Sequence, residues 1–228
     1  MNDLPSFRAV VFDLDGTLLD TLEDIRDAVN DSLSAFGFAP RSLEEIRSFV
    51  GNGAVKLLER ALPHPVPDET FRAFYRDYDA RYTANAQNKT RPYPGILDLL
   101  REVRTRGYRI AVLSNKQDSA VRLLCAHYFP ELVDLAVGPA EGRRTKPSPD
   151  GPEYICRTLG VCASDVLYVG DSETDMLTGS NAGMFTVAVT WGFRAHAALL
   201  RSGAVHFAET PQDILKYLPD LMDNCAQM

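Results

Sequence analysis

The sequence predicts an α/β protein: a mostly parallel sheet with helices on both faces, and a helical domain inserted after the first strand. Short apolar runs rich in β-branched residues alternate with segments of helical periodicity along most of the chain, as in parallel sheets covered by helices. Residues 18–92 carry no strand signal, and this stretch is too long for a structureless loop, so it is expected to fold separately. A chain of 228 residues is long enough to bury a core without disulfide or metal staples.

The predicted strands are short apolar runs that end at polar or glycine residues. The first covers residues 8–14 and runs into the acidic sequence DLDG. Ligands of such sheets bind beyond the carboxyl ends of the strands, so the residues there are the first candidates for a site. The other predicted strands cover residues 109–114, 135–138, 166–170, 186–190 and 205–208.

The insertion is expected to be a small bundle of helices. Capping boxes are predicted at Asp20 with Glu23 and at Ser42 with Glu45, and a third helix over residues 54–62. The first helix has an apolar stripe that closes at a glycine: Leu22, Ile25, Val29, Leu33, Phe36 and Gly37. A fourth helix has an aromatic face after Asp68: Phe71, Phe74, Tyr78 and Tyr82.

Because the insertion follows the first strand directly, it is expected to lie over the carboxyl end of the sheet as a cap. The predicted cap covers residues 18–93, and residues 1–17 with 94–228 form the predicted core. A cap in this position can control access to a site at the strand ends and exclude water from it. Helical stripes between the strands complete the core, as at Ile96, Leu99, Leu100 and Val103 before Gly107.

Composition and charge exclude several classes of protein. With 45% hydrophobic and 24% charged residues, the chain has the composition of an ordinary globular protein. Its net charge of −7 makes nucleic acid a poor partner, since binding to phosphate backbones depends on clustered Lys and Arg. No apolar run approaches the length of about 18 residues that spans a bilayer. No CxxC pair occurs among Cys125, Cys156, Cys162 and Cys225, which favours a reducing compartment, and we expect the protein to be cytoplasmic. A monomer or a homodimer is expected.

Two acidic residues stand at the end of the first predicted strand. Alternation along an extended chain places Asp13 and Asp15 on the same side. Two carboxylates at close range raise each other's pKa or require a cation, so the pair indicates a metal, a proton or a basic partner nearby. The motif alone is equally compatible with a simple turn that caps the next helix.

Polar groups also stand at three other predicted element ends. Ser114 and Asn115 follow the second strand, Lys146 precedes a proline at a helix start, and Asp171 and Asp175 follow the fourth strand. Each has a structural explanation by itself, as a capping serine, a solvated lysine or an acidic first helical turn. Their joint occurrence along one sheet is harder to explain by capping and favours a chemical site.

The order and spacing of these residues resemble the four signature motifs of the haloacid dehalogenase-like hydrolase superfamily, from Asp13 to Asp175. The resemblance implies a Rossmann-like core with a helical cap, Mg²⁺ as cofactor and a small phosphorylated metabolite as substrate. It also implies that Asp13 is the nucleophile and Asp15 the general acid and base. It further assigns Ser114, Asn115 and Lys146 as phosphate ligands, Asp13, the Asp15 backbone carbonyl and Asp171 as metal ligands, and Asp175 as a metal ligand directly or through water.

Cleavage of a phosphate ester needs such a set of residues. The dianion repels a carboxylate nucleophile, so Mg²⁺ held by oxygen ligands and a lysine must neutralise the phosphoryl group. A covalent aspartyl-phosphate divides the transfer into two in-line steps. Asp15 would protonate the leaving alkoxide and then accept a proton from water, which requires surroundings that raise its pKa. A cap that excludes water would provide such surroundings.

Two residues separate the possible reactions within this superfamily. Dehalogenases and phosphonate hydrolases lack the second acid of the first motif, which is present here as Asp15. Mutases of the β-phosphoglucomutase type carry a histidine in the first cap helix, where this chain has Ile25. Hydrolysis of a phosphate monoester is therefore the expected reaction.

The choice of substrate is expected to depend on the cap. The sequence Gly51-Asn52-Gly53 interrupts two predicted helices, and it suits either close backbone approach to a ligand or a plain interhelical turn. The segment FVGNGAVKLLERAL resembles the cap of phosphoglycolate phosphatases. This resemblance favours 2-phosphoglycolate, with Gly51, Asn52 and Gly53 as substrate contacts, and leaves other small phosphate esters and pyrophosphate open. Lys56 and Arg60 are either carboxylate contacts or part of a solvated helix face.

Two interpretations from other classes also stay open. Receiver modules have a similar acid cluster, hydroxyl and lysine and keep a phosphoryl group on Asp as a signal, although Asp15 and the inserted cap argue against this. A cap-bearing binder without turnover is the second. The segment 191–194 follows a strand end and either borders the site or packs in the core.

Overall fold

The computed structural model describes residues 6–221. It confirms the predicted α/β fold, a parallel six-stranded sheet with flanking helices and an inserted helical cap. In chain order the elements are β1 (Ala9–Phe12), β2 (Leu19–Asp20), α1 (Leu22–Ala35), α2 (Leu43–Phe49), α3 (Ala54–Ala61), α4 (Asp68–Asn85), β3 (Arg91–Pro92), α5 (Ile96–Thr105), β4 (Arg109–Leu113), α6 (Asp118–Tyr128), β5 (Leu135–Val137), α7 (Asp150–Leu159), β6 (Val166–Gly170), α8 (Glu173–Ala182), β7 (Phe185–Val189), α9 (His196–Arg201) and β8 (Phe207–Ala208).

The sheet has the strand order β5-β4-β1-β6-β7-β8, and each neighbouring pair is parallel. β1 lies between β4 and β6, and its side chains alternate between two apolar cores. Val10 and Phe12 belong to one core, and Ala9 and Val11 to the other. A strand buried on both faces needs a continuous apolar run, which explains why the first strand shows no polar alternation.

All six predicted strands are confirmed, with small shifts at their ends. β7 begins at Phe185, one residue before the predicted run, and β8 contains only Phe207 and Ala208. The predicted stripe of the helix before Gly107 is also confirmed, since α5 buries its four apolar residues against the sheet. The sheet therefore places the carboxyl ends of β4, β1 and β6 side by side.

The cap begins and ends at a two-stranded antiparallel ribbon, which the sequence did not predict. Leu19 pairs with Pro92, and Asp20 with Arg91. The prediction that residues 18–92 contain no strand is wrong at these two ends, because strands of two residues are too short to show a period. The ribbon brings the entry and exit of the cap together. The division at residues 18–93 itself stays a prediction.

The start of α1 differs from the predicted capping box at Asp20 and Glu23. The N-cap residue is Thr21, and its side chain makes no cap hydrogen bond. The Thr21 hydroxyl instead donates to Asp15 Oδ1 at 2.7 Å, while Asp20 Oδ1 accepts from the Leu22 N–H at 3.3 Å. The Thr21 hydroxyl therefore contacts the candidate site and does not cap the N-terminus of α1. The box at Ser42 and Glu45 and the stop at Gly37 (φ 77°) are confirmed.

A buried carboxylate joins the first cap helix to the end of the cap. Asp24 on α1 accepts hydrogen bonds from the Lys89 N–H at 3.0 Å, the Thr90 N–H at 2.9 Å and the Thr90 hydroxyl at 2.8 Å. Such donors satisfy a charge that would otherwise be costly to bury. These contacts fix the segment before β3 against α1.

Within residues 6–221, none of the helices combines the length and the hydropathy needed to cross a bilayer. Cys125, Cys156 and Cys162 are free thiols. Cys225 lies outside the described residues.

Candidate active site

The predicted site residues converge at the carboxyl edge of the sheet. Asp13, Ser114 and Asp171 directly follow β1, β4 and β6, which are neighbours in the sheet. Together with Asp15 and Lys146 they line a cavity between the sheet and the cap. The structure therefore brings residues from all four sequence motifs to one place.

Lys146 lies between two carboxylates in this cavity. Its Nζ is 2.8 Å from Asp13 Oδ1 and 2.7 Å from Asp175 Oδ1, and the lysine is almost fully buried. Burial alone would lower the pKa of Lys146, but the charges of Asp13 and Asp175 outweigh it and raise this pKa well above its usual value. The ammonium group is therefore a permanent positive charge beside Asp13.

Asp13 keeps one carboxylate oxygen away from these contacts. Oδ1 accepts from Lys146 Nζ and, at 2.7 Å, from the Leu14 N–H. Among residues 6–221, no donor is hydrogen-bonded to its Oδ2. Burial, followed by the negative charge of Asp175, raises the pKa of Asp13 well above its usual value, and Lys146 opposes this rise. The geometry suits an oriented carboxylate with one oxygen directed at a ligand.

Asp175 is fully buried and has protein partners on both oxygens. Oδ1 contacts Lys146 and accepts from the Tyr168 hydroxyl at 3.1 Å. Oδ2 accepts from the Ser172 N–H at 3.0 Å and from the Ser172 hydroxyl at 2.5 Å, which forms the capping box of α8. This arrangement favours a role in holding Lys146 over direct contact with a metal.

Asp171 is held in a narrow backbone cradle. Its Oδ2 accepts from the Phe193 N–H at 2.6 Å, and the Thr17 hydroxyl lies 3.4 Å from Oδ1. A Cβ atom at Gly16 or at Gly192 would lie 2.4 Å from Asp171 Oδ2, so only glycine fits at either position. Burial and the Asp175 charge raise the pKa of Asp171 to about 7.

Asp13 and Asp171, with Asp175 beside them, form a cluster suited to a divalent cation. One carboxylate oxygen from each of Asp13, Asp171 and Asp175 lies within 4.8 Å of the others, and all three residues are buried. Carboxylate oxygens are the ligands that Mg²⁺ and Ca²⁺ prefer. The raised pKa values of Asp13 and Asp171 mark an excess of buried negative charge, which a cation would offset.

Asp15 also borders the cavity but belongs to a different set of contacts. Its Oδ1 accepts from the Thr21 hydroxyl and lies 3.1 Å from Lys116 Nζ, and its Oδ2 accepts from the Ser114 hydroxyl at 3.3 Å. Asp15 thus stands beside Asp13 at the strand end, on the side of the cavity that faces the cap helices.

Asn115 and the residues of the cap loop Gly51-Asn52-Gly53 differ in whether they line the cavity or make structural contacts. The Asn115 amide accepts from the Lys146 N–H at 2.6 Å and donates to the Gly51 carbonyl at 3.1 Å, so it connects core and cap. Gly51 and Gly53 line the cavity. Asn52 does not, because its amide donates to the Thr174 hydroxyl at 3.2 Å and its oxygen accepts from a cap arginine. Asn52 is therefore placed as a framework contact. Asn115 both joins core and cap and lines the cavity, and its predicted role as a phosphate ligand stays a prediction.

Neither cationic candidate of the cap lies in the cavity. Lys56 is exposed and pairs with Glu59 at 2.7 Å. Arg60 donates to the Phe49 carbonyl at 2.7 Å and to Asn52. Of the two interpretations offered for this pair, the geometry favours the solvated helix face.

Two further cations line the cavity: Lys116, which was not predicted as a site residue, and Arg194, in the segment 191–194 for which a border of the site was one of two interpretations. Lys116 contacts Asp15 and donates to the Tyr82 hydroxyl on α4 at 2.8 Å. Arg194 lies 3.2 Å from Glu173 and donates to two cap carbonyls, that of Arg47 at 2.7 Å and that of Val50. Both residues follow strand ends, as the predicted site residues do, and that position was the available signal.

A parallel sheet with acids and a lysine at its carboxyl edge, under an inserted helical cap, is typical of hydrolases that have a Rossmann-like core and a cap. The sequence model of the family "Haloacid dehalogenase-like hydrolase" matches residues 10–189. The chain belongs to this family.

Similar proteins match over both the cap and the core. The phosphoglycolate phosphatase of Rhodobacter capsulatus is 36% identical over 190 residues, which cover 82% of this chain and 85% of that protein. That of Cereibacter sphaeroides is 36% identical over 216 residues, covering 92% and 98%. The crystal structure of a candidate phosphoglycolate phosphatase from Lactobacillus delbrueckii subsp. bulgaricus superposes with a TM-score of 0.86 at 32% identity, covering 93% of this chain and 99% of that one.

Proposed function

We propose that this protein is a Mg²⁺-dependent phosphatase that hydrolyses a small phosphate monoester, 2-phosphoglycolate in particular, through an aspartyl-phosphate on Asp13. The observation that carries the proposal is the pairing of Asp13 with Lys146 at 2.8 Å, next to the cluster of acids and beneath the cap. The activity of the relatives supports the same reaction, and their name supports the substrate.

The residues would act in two steps. In the first, Asp13 Oδ2 attacks phosphorus in line with the leaving oxygen, while Lys146 holds the negative charge of the phosphoryl oxygens. Asp15, on the cap side of Asp13, gives a proton to the leaving alkoxide. In the second step Asp15 takes a proton from the water that attacks the aspartyl-phosphate, which releases inorganic phosphate and restores Asp13.

The other polar groups support this chemistry. Mg²⁺ held by Asp13 and Asp171 would offset the charge of the phosphate and of the acid cluster. Ser114 would donate to a phosphoryl oxygen, and its position at the strand end supports this, although in the structure its hydroxyl donates to Asp15 Oδ2 at 3.3 Å. Asp175 holds Lys146 in place, and the cap excludes water from the cavity.

The substrate proposed is a free metabolite of the cytoplasm. Free thiols at Cys125, Cys156 and Cys162 support a reducing compartment, and the net charge of −7 disfavours nucleic acid. A monomer or a homodimer remains the prediction for the oligomeric state.

The proposal is tested by release of inorganic phosphate from 2-phosphoglycolate with and without Mg²⁺. Asp13→Asn removes the nucleophile but keeps the shape of the side chain, so it should abolish turnover while the circular dichroism spectrum stays native. The matched control is Asp98→Asn, which removes the same charge at a site that is 77% exposed. Retained turnover in Asp13→Asn would refute the nucleophile, and repeated turnover in the wild type would exclude both a receiver module and a passive binder.

A further inference from the structure

The cationic side chains in the cavity differ in the number of protein groups that they already contact. Among residues 6–221, three cations line it: Lys116, Lys146 and Arg194. Lys146 is shared by two buried carboxylates of the acid cluster. The Arg194 guanidinium pairs with Glu173 and donates hydrogen bonds to two backbone carbonyls of the cap, so it links core and cap. Neither is available to a second anionic group on a substrate.

Lys116 is placed differently. Its side chain is 10% exposed, and its Nζ is 3.1 Å from Asp15 Oδ1 and 2.8 Å from the Tyr82 hydroxyl. The ammonium also lies 4.2 Å from the centre of the Tyr82 ring. Within the part of the chain that the structure describes, its ion-pair partner is Asp15, the residue proposed to protonate the leaving group. The charge of Lys116 stands on the leaving-group side of the cavity, away from the phosphoryl side that Lys146 serves.

The wall of the cavity is partly apolar. Ile25 and Leu57 of the cap line it, together with polar residues that include Tyr78 and Asp79 on α4. An anionic group placed against such a wall is costly to desolvate unless a cation is beside it. Lys116 is the charge that makes this side of the cavity favourable for an anion.

We propose that Lys116 determines specificity by binding a carboxylate on the leaving-group portion of the substrate, so that the enzyme prefers phosphate esters with a second anionic group next to the ester oxygen. This inference rests on the proposed phosphatase function. In an ester of a 2-hydroxy acid, the carboxylate carbon is two bonds from the ester oxygen. Asp15 and Lys116, which are neighbours, can then contact the ester oxygen and the carboxylate at hydrogen-bond distances of about 3 Å.

The proposed contact would replace the ion pair between Lys116 and Asp15. A substrate carboxylate competes with Asp15 for the ammonium group, and Asp15 can then turn to the ester oxygen. Tyr82 remains as a neutral partner that orients Lys116 in both states. When the ester has no carboxylate, Lys116 stays paired with Asp15, and Asp15 is not released to contact the ester oxygen.

A purely mechanical role for Lys116, as a link between core and cap, makes a different prediction. Gln117, which also lines the cavity but carries no charge, provides the comparison, because its side-chain amide in the same loop donates to the Tyr75 hydroxyl on the same cap helix at 3.0 Å. Loss of a link to the cap would affect all esters alike. Loss of a carboxylate contact would affect only those that carry the carboxylate.

The experiment compares kcat/KM for 2-phosphoglycolate and for 2-hydroxyethyl phosphate, which has the same carbon skeleton with an alcohol in place of the carboxylate. The wild type should prefer 2-phosphoglycolate. Lys116→Met, which keeps the length and removes the charge, should lower the ratio of the two values by about 10- to 100-fold, the range for a charge-assisted hydrogen bond. Lys116→Arg should restore most of the ratio, and Gln117→Ala should leave it unchanged.

Each other outcome has a distinct meaning. Equal losses for both esters in Lys116→Met, with an unchanged ratio, would overturn the inference and assign Lys116 to holding the cap. Equal cleavage of both esters by the wild type would overturn the inference and leave the phosphatase intact. Cleavage of neither ester in the presence of Mg²⁺ would overturn the proposed function and the inference with it.

Discussion

Replacing Asp171 by asparagine should stabilise the metal-free protein while it destroys activity. The pKa of Asp171 rises from an ordinary value of 3.8 to about 7, through burial and the charge of Asp175. A rise of roughly 3 pH units corresponds to about 4 kcal/mol that opposes folding once the carboxylate is ionised. Asparagine removes the charge and keeps an oxygen that can accept from the Phe193 N–H.

The stabilisation that asparagine brings should be smaller than the free energy by which the ionised Asp171 opposes folding, because the amide must fit a cradle shaped for a carboxylate. We expect a net stabilisation of about 1–3 kcal/mol at pH 8, or a rise in Tm of about 3–10 °C. Because the folded pKa lies above the unfolded one, the acid costs nothing below pH 3.8, and its cost reaches its full value only above about pH 7. The difference between variant and wild type should therefore shrink at pH 5.

The assay is thermal unfolding in a chelator at pH 8 and pH 5, followed by titration with Mg²⁺. Bound Mg²⁺ stabilises the folded state by mass action, so it should raise the Tm of the wild type and have little effect on Asp171→Asn. Asp98→Asn, which removes an exposed charge, should change neither result. A variant with an unchanged or lower Tm in chelator, and with the same response to Mg²⁺ as the wild type, would refute this account of the acid cluster.

Three further predictions concern the site and the cap. Asp15→Asn should slow phosphate release by about 10²- to 10⁴-fold with a native circular dichroism spectrum, because both steps lose their proton transfer; full activity would remove Asp15 from the mechanism. Gly192→Ala places a Cβ 2.3 Å from the Cβ of Asp171 and should cost about 1–3 kcal/mol and weaken Mg²⁺ activation; an unchanged Mg²⁺ dependence would contradict the cradle. Asp24→Asn presents an amide to the Lys89 and Thr90 donors and should lower the Tm through a loss of about 2–4 kcal/mol, whereas an unchanged Tm would show that these contacts contribute little.

The fold and the residues at the strand ends could be predicted because their signals are local. Each strand is a short apolar run, and the polar residues that follow it must lie at the carboxyl edge whatever the loops do. Asp13, Ser114 and Asp171 reach the cavity in this way. The cap was predicted from the length of the interruption and from helical stripes, which are also local patterns.

What could not be predicted depends on contacts between distant segments. Arg194 finds its acceptors at Arg47 and Val50, in a helix end more than 140 residues earlier in the chain. The glycine at 192 matters because its backbone passes Asp171. The predicted N-cap of α1 at Asp20 was wrong. The N-cap residue is Thr21, and its hydroxyl donates to Asp15, a partner that a local sequence rule does not consider. In each of these cases the tertiary contact outweighs the local preference.

The β2–β3 ribbon has an evolutionary consequence. Because Leu19 pairs with Pro92 and Asp20 with Arg91, about seventy residues depart from the catalytic body and return to it at nearly one point. Because the two ends of the insertion lie next to each other, a change in its length would leave the strand ends that carry Asp13 and Asp171 where they are. We therefore expect the insertion to tolerate changes of length and sequence that the sheet does not.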